Sequence, residues 1–163
     1  MMTKLSLLTI SLTALLFASC GEHAIDCTDA QIRTAFINYA TTDIDTFILR
    51  KYKAANNYQT LLDTFKVTEA DPWQYRASND TTTVSPLDYV HGITAGFDWQ
   101  MFIPATNKTI LISDIMTEKK TGKCRLAVFG KPPCGCLNPV YSAKINDQVV
   151  NFPDSTIYTI YIR

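Results

Sequence analysis

Ala95-Gly96-Phe97-Asp98-Trp99-Gln100-Met101-Phe102-Ile103 is the stretch that decides the fold. Phe97, Trp99, Met101 and Ile103 alternate with Gly96, Asp98, Gln100 and Phe102. A period of two is the mark of a half-buried strand, because successive side chains on a strand point to opposite faces. Trp99 falls on the apolar side of that alternation and is expected in the core. Pro104-Ala105-Thr106-Asn107-Lys108 carries turn chemistry, and Thr109–Met116 returns as a second strand.

Further strands are expected at Trp73–Ala77, Arg125–Phe129, Val140–Ile145, Gln148–Phe152 and Thr156–Ile162. Asn146-Asp147 and Pro153-Asp154-Ser155 supply turns between them. Residues 30–40 satisfy two templates. Ile32, Ala35, Phe36 and Tyr39 match helical spacing, with Thr28 and Gln31 as a capping box. The Thr41-Thr42-Asp43 turn that follows, leading into Ile44–Tyr52, favours two strands instead. Leu61-Leu62 and Pro86–Val90 are expected as short helical turns. Short strands at this spacing, with turn residues between them, specify an all-β protein: one antiparallel β-sandwich of immunoglobulin-like or transthyretin-like size.

The N-terminus is organised differently. Lys4 precedes a mostly apolar run over residues 5–18, and small residues lead to Cys20. A charged start, an apolar centre and a small-residue exit describe a secretory signal peptide. The run is shorter than the roughly 20 apolar residues of a membrane span and holds Ser6, Thr9, Ser11 and Thr13. Leu16-Phe17-Ala18-Ser19-Cys20 resembles the lipobox of bacterial lipoproteins. That resemblance implies cleavage before Cys20 and acylation of its thiol, with the bilayer as partner. Several acyl chains on one cysteine anchor firmly, at about 0.8 kcal/mol per buried methylene. The expected organisation is a signal peptide over 1–19, a lipidated tether over 20–30 and the sandwich over 31–163.

The stretches Ala35-Phe36-Ile37-Asn38-Tyr39, Asp43-Ile44-Asp45-Thr46, Leu49-Arg50-Lys51-Tyr52 and Leu61-Leu62-Asp63-Thr64 are similar to small uncharacterised envelope lipoproteins of Bacteroidetes-type bacteria. The resemblance implies a compartment and brings no activity with it. Gly21 lacks the aspartate associated with inner-membrane retention, so the outer membrane is expected by analogy. Gly21-Glu22-His23-Ala24 holds a single acid, short of the acidic run that marks surface export in some of these bacteria, and the periplasmic leaflet is favoured. Asp80-Thr81-Thr82 and Asp154-Ser155-Thr156 resemble the short O-glycosylation acceptor of the same group, although turn chemistry also explains them.

Without residues 1–19 the chain keeps 144 residues, enough for one core, with 14 basic and 15 acidic side chains. A net charge of −1, with no basic cluster beyond Lys119-Lys120, argues against a nucleic-acid partner. Besides Cys20, the cysteines are Cys27, Cys124, Cys134 and Cys136. An even number in an exported chain reads as disulfides. Only Gly135 separates Cys134 from Cys136, so a bond between them would close a small strained ring. Cys124–Cys134 and Cys27–Cys136 are the expected pairs. The competing reading is soft-metal binding by Cys134 and Cys136 with Cys124, Met101 or Met116, which needs reduced thiols.

Catalytic patterns are missing from the sequence. His23 and His91 are its only histidines, and neither stands in a zinc-binding spacing. Asp43-Ile44-Asp45-Thr46 superficially matches an Asp-x-Asp phosphotransferase loop but lacks the α/β surroundings, and a solvated hairpin is expected. Lys120-Thr121-Gly122 echoes the third motif of penicillin-binding enzymes, yet Ser-x-x-Lys occurs nowhere, so a turn is expected. Trp73 and Tyr75, just after Asp71-Pro72, are the candidate ligand contacts. The expected function is a non-catalytic binding or interaction module of the cell envelope, with no cofactor and no metal. The alternative is a cysteine-dependent metal-binding or redox protein of the periplasm.

Overall fold

Gly96 turns the chain into the Trp99 strand at φ +83°, a left-handed conformation that a side chain resists. Beyond it, Trp99, Met101 and Ile103 are fully buried on one face. The computed structural model describes residues 22–68, 73–78, 80–86, 92–125, 135–152 and 158–163; at 22–23, 73–78, 85–86 and 124–125 it describes backbone only.

The strands in chain order are β1 (Glu22–Asp26), β2 (Thr28–Asp29), β3 (Ile32–Ile37), β4 (Thr46–Lys53), β5 (Leu61–Thr68), β6 (Trp73–Ser78) and β7 (Thr81–Pro86). They continue as β8 (Phe97–Ile103), β9 (Lys108–Thr117), β10 (Thr121–Arg125), β11 (Leu137–Asn138), β12 (Val140–Ile145), β13 (Gln148–Asn151) and β14 (Tyr158–Ile162). Two 3-10 turns, Thr41–Asp43 and Pro104–Thr106, complete the described elements. The fold is all-β, as the alternation predicts.

Two compact units emerge. The larger holds residues 29–118 and 138–163, and the smaller holds residues up to 28 together with 119–137. The boundary expected between 30 and 31 therefore lies just inside the larger unit, while residues 119–137 join the smaller one.

In the larger unit a six-stranded antiparallel sheet, ordered β13-β12-β9-β8-β4-β5, faces a four-stranded sheet ordered β14-β3-β7-β6. Their inner faces make one sandwich core. Ile32, Phe36, Val84 and Ile160 come from the smaller sheet, and Phe47, Leu49, Trp99 and Ile112 from the larger. Phe36 and Phe47 meet across the layers with ring centroids 6.4 Å apart. Within the smaller sheet β14 runs parallel to β3, while the other pairs are antiparallel.

Turn chemistry shapes the connections. Asn146 and Asp147 both take positive φ, 46° and 67°, which a two-residue hairpin of the primed type requires. Asn107 closes the Pro104–Thr106 turn at φ 49°. Asp114 sits at φ 47° in β9, where Lys144 faces Ser113 but Ser142 faces Met116. That extra residue is a β-bulge.

Several expectations need correction. Leu61-Leu62 opens β5 instead of forming a helical turn, and both side chains are exposed. The Asp43-Asp45 bend is no hairpin: β3 and β4 belong to different sheets, so the bend carries the chain between layers, with Ile44 buried beneath it. Lys120-Thr121-Gly122 leads into β10 and is strand from Thr121 onward. Within residues 30–40, Ile32–Ile37 is strand, as the favoured reading had it, because β3 is an interior strand between β14 and β7. Of Pro86–Val90 only Pro86 is described, as the end of β7. From the strand expected over Arg125–Phe129 only Arg125 is described, at the end of β10.

The smaller unit pairs β1 with β10 in antiparallel register, from Glu22 opposite Arg125 to Asp26 opposite Thr121. The described part of the expected tether is thus largely strand. Cys27 and Cys136 form a disulfide with Cα atoms 4.8 Å apart. A Cβ on Gly122 would stand 2.5 Å from the Cys136 sulfur, so only glycine admits this close approach.

Candidate functional site

Among the described residues, two concavities of the larger unit stand out. One is a polar hollow on the outer face of the six-stranded sheet, roofed by the β4–β5 loop. The other is an apolar groove where β14, at the edge of one sheet, lies beside β12 and β13 of the other.

In the hollow, of about 470 Å³, the loop over 54–60 folds back across β8. Ala55, Asn57 and Tyr58 take left-handed backbone conformations in this loop. The Tyr52 and Tyr58 rings pack edge to face, 5.4 Å apart. The Ala55 N–H donates to Asp98 Oδ2 at 3.1 Å, so the carboxylate holds the loop down. Burial raises the Asp98 pKa; the backbone bonds from Ala55 and Asn56 oppose this and the Asp114 charge adds to it. Burial also raises the Tyr58 pKa. Ser113 opposes that without reaching hydrogen-bonding geometry, and the Tyr58 hydroxyl has no partner among the described residues. Lys144 bridges to Asp114 at 2.7 Å, which raises the lysine pKa. The carboxylates of Asp98 and Asp114 are thus engaged within the fold, and the hollow works as a loop clamp.

The groove encloses about 410 Å³, within the range of small-ligand sites. Ile110, Ile160 and Ile162 form a buried apolar floor, and Ile145 and Val150 are half-buried beside them. Asn146, Gln148, Thr159 and Tyr161 line it further, with Tyr161 64 % exposed. Lys108 and Arg163 stand together at the end of β14: the lysine ammonium donates to the Arg163 main-chain oxygen and, at 2.8 Å, to the Tyr39 hydroxyl. Arg163 is exposed, and its guanidinium is the second cation at this end of the groove.

β14 is the last strand of its sheet, and β13 is the last strand of the facing one. Among the described residues each pairs on one side only. On β14 the inward positions are apolar: Tyr158, Ile160 and Ile162 are buried, whereas Tyr161 faces outward. An edge of this kind is usually blunted by lysine, proline or a bulge, and none interrupts Tyr158–Ile162.

None of the residues expected to act is among the described residues that line the hollow or the groove. Cys20 and Cys134 lie outside the described residues, as does His91. Cys124 is in β10, with only its backbone described. Trp73 and Tyr75 are in β6, their backbones opposite Pro86 and Val84, and their side chains lie outside the described set. Cys27 and Cys136 are joined, so Cys136 is no thiolate ligand; Met101 is fully buried in the core and Met116 is exposed on β9. No group of three His, Cys, Asp or Glu among the described residues is arranged to hold a metal ion. Of the glycosylation-like segments, Thr81 opens β7 after the exposed Asp80, and Asp154-Ser155-Thr156 lies outside the described residues.

Sequence reasoning missed the groove because its lining comes from β9, β12, β13 and β14, and no single segment carries the signal. The alternation in Tyr158–Ile162 showed a strand but not that it would stand at an edge. Comparison with models of known families, with curated proteins and with solved structures finds no match to this chain.

Proposed function

We propose that this chain is an exported lipoprotein, anchored through acylated Cys20, whose sandwich is a non-catalytic binding module working through the groove beside β14. The groove carries the reading: a buried isoleucine floor, a polar rim and one exposed cation form a receptive surface. The signal peptide and the lipobox-like Leu16–Cys20 support an envelope location, with the outer membrane favoured by analogy and its periplasmic leaflet preferred. The Cys27–Cys136 disulfide is compatible with that oxidising compartment.

An environment-sensitive apolar dye tests the binding site. Dye fluorescence is expected to rise saturably on the folded protein and to fall away when Ile145→Arg places a charge in the groove. Leu62→Arg, at an exposed position on β5, is expected to leave it unchanged. Equal dye binding by the Ile145→Arg protein and the parent overturns the reading.

A further inference from the structure

We infer that the groove receives an extended segment of a partner protein, apolar at alternate positions and bearing a carboxylate at one end, which adds as a strand to the edge of β14 that faces away from β3. This rests on the groove being the binding site. Three features select this occupant.

The first is hydrogen bonding. Among the described residues β14 pairs only with β3, leaving one row of N–H and C=O groups along Tyr158–Ile162 for another chain. A hydrocarbon ligand would cover those groups and leave them unsatisfied, which is costly. A peptide strand satisfies them, as in β-augmentation.

The second is shape. The five residues of β14 span roughly 17 Å, and the groove beside them has an apolar floor of Ile110 and Ile160 with walls at Ile145 and Val150. An extended segment turns every second side chain inward, so alternate apolar residues reach that floor while the others stay in water.

The third is charge. Lys108 and Arg163 are the cationic side chains lining the groove among the described residues, and no Asp or Glu side chain lines it. Since Tyr39 and the Arg163 main chain already hold Lys108, the Arg163 guanidinium is the group that would meet an acid on the partner.

The test uses the processed protein and eight-residue synthetic peptides alternating valine and threonine, with one aspartate at either end. Fluorescence anisotropy measures affinity, and amide hydrogen exchange maps the contact. One aspartate peptide is expected to bind saturably and to slow exchange within Tyr158–Ile162. Arg163→Glu, at an exposed position, is expected to weaken it about fivefold, and exchanging the peptide's aspartate for lysine is expected to restore affinity to that variant. The same peptide N-methylated at alternate residues, lacking ladder donors, is expected not to bind.

Undiminished binding of the N-methylated peptide, or binding that leaves β14 exchange unchanged, overturns the inference. So does refusal of both peptides, or burial of β14 by self-association alone. A protein that takes the apolar dye at the groove but refuses the peptides sinks this inference and leaves the binding-module reading standing. Loss of groove-dependent dye binding sinks both.

Discussion

Asp98 stands on β8 with its carboxylate covered by the 54–60 loop, and the residue is only 4 % exposed. Its neighbours pull in opposite directions. The Ala55 N–H favours the charged form, while burial, the largest influence, and the Asp114 charge favour the neutral one. The folded pKa is raised above its ordinary 3.8. The stability this group contributes is therefore complete below the unfolded pKa and is lost as pH rises through the folded one. Asp98→Asn keeps an oxygen to accept from Ala55 and removes the titration. Thermal unfolding across a pH series is expected to show the variant gaining on the parent as pH rises from below 3.8 through the parent's raised pKa. A variant that loses ground over that interval means the loop bonds to a charged acceptor outweigh burial. Nothing in the alternation around Trp99 revealed this burial. Period-two patterning put Asp98 on the solvated face, and a loop from elsewhere in the chain then covered it.

At the scale of elements, the β12–β13 hairpin builds one wall of the groove. Asn146 serves it twice: it accepts the left-handed conformation, and its Oδ1 accepts from the Leu111 N–H at 2.8 Å while its own N–H donates to the Leu111 carbonyl. Asn146→Ala strains the turn and removes the side-chain bond, with an expected cost of about 1–2 kcal/mol. Denaturant unfolding measures the loss, and faster amide exchange over Gln148–Asn151 would locate it at β13. Asn-Asp between two apolar stretches was legible as a turn because the chemistry is local. β5, β7 and β10 were not legible as strands, being rich in polar residues: β5 is an exposed edge strand, and β10 pairs with a segment almost a hundred residues away in sequence. Edge and short strands need few apolar positions, so periodicity fades where they lie.

For the whole molecule, two cysteines carry testable consequences. The Cys27–Cys136 bridge spans 109 residues of sequence, and a loop of that size constrains the unfolded chain strongly. Replacing both by serine is expected to cost about 2–4 kcal/mol, read as a lower midpoint in urea, and reduction of the parent is expected to cost at least as much. Cys20→Ser is expected to abolish incorporation of a fatty-acid analogue and to release the protein from the membrane fraction; undiminished label would refute the lipid anchor. Local chemistry let the sequence alone determine the all-β class, the central strands and the Asn146-Asp147 turn, which rest on side-chain alternation or on backbone preference. For the cysteines it left two pairings once Cys134–Cys136 was set aside, and the structure selects Cys27–Cys136. Only the tertiary structure decided which strands stand at edges, which loop buries Asp98, and that β9, β12, β13 and β14 enclose an apolar groove. Each of those depends on contacts between segments far apart along the chain, whose partners no local pattern names.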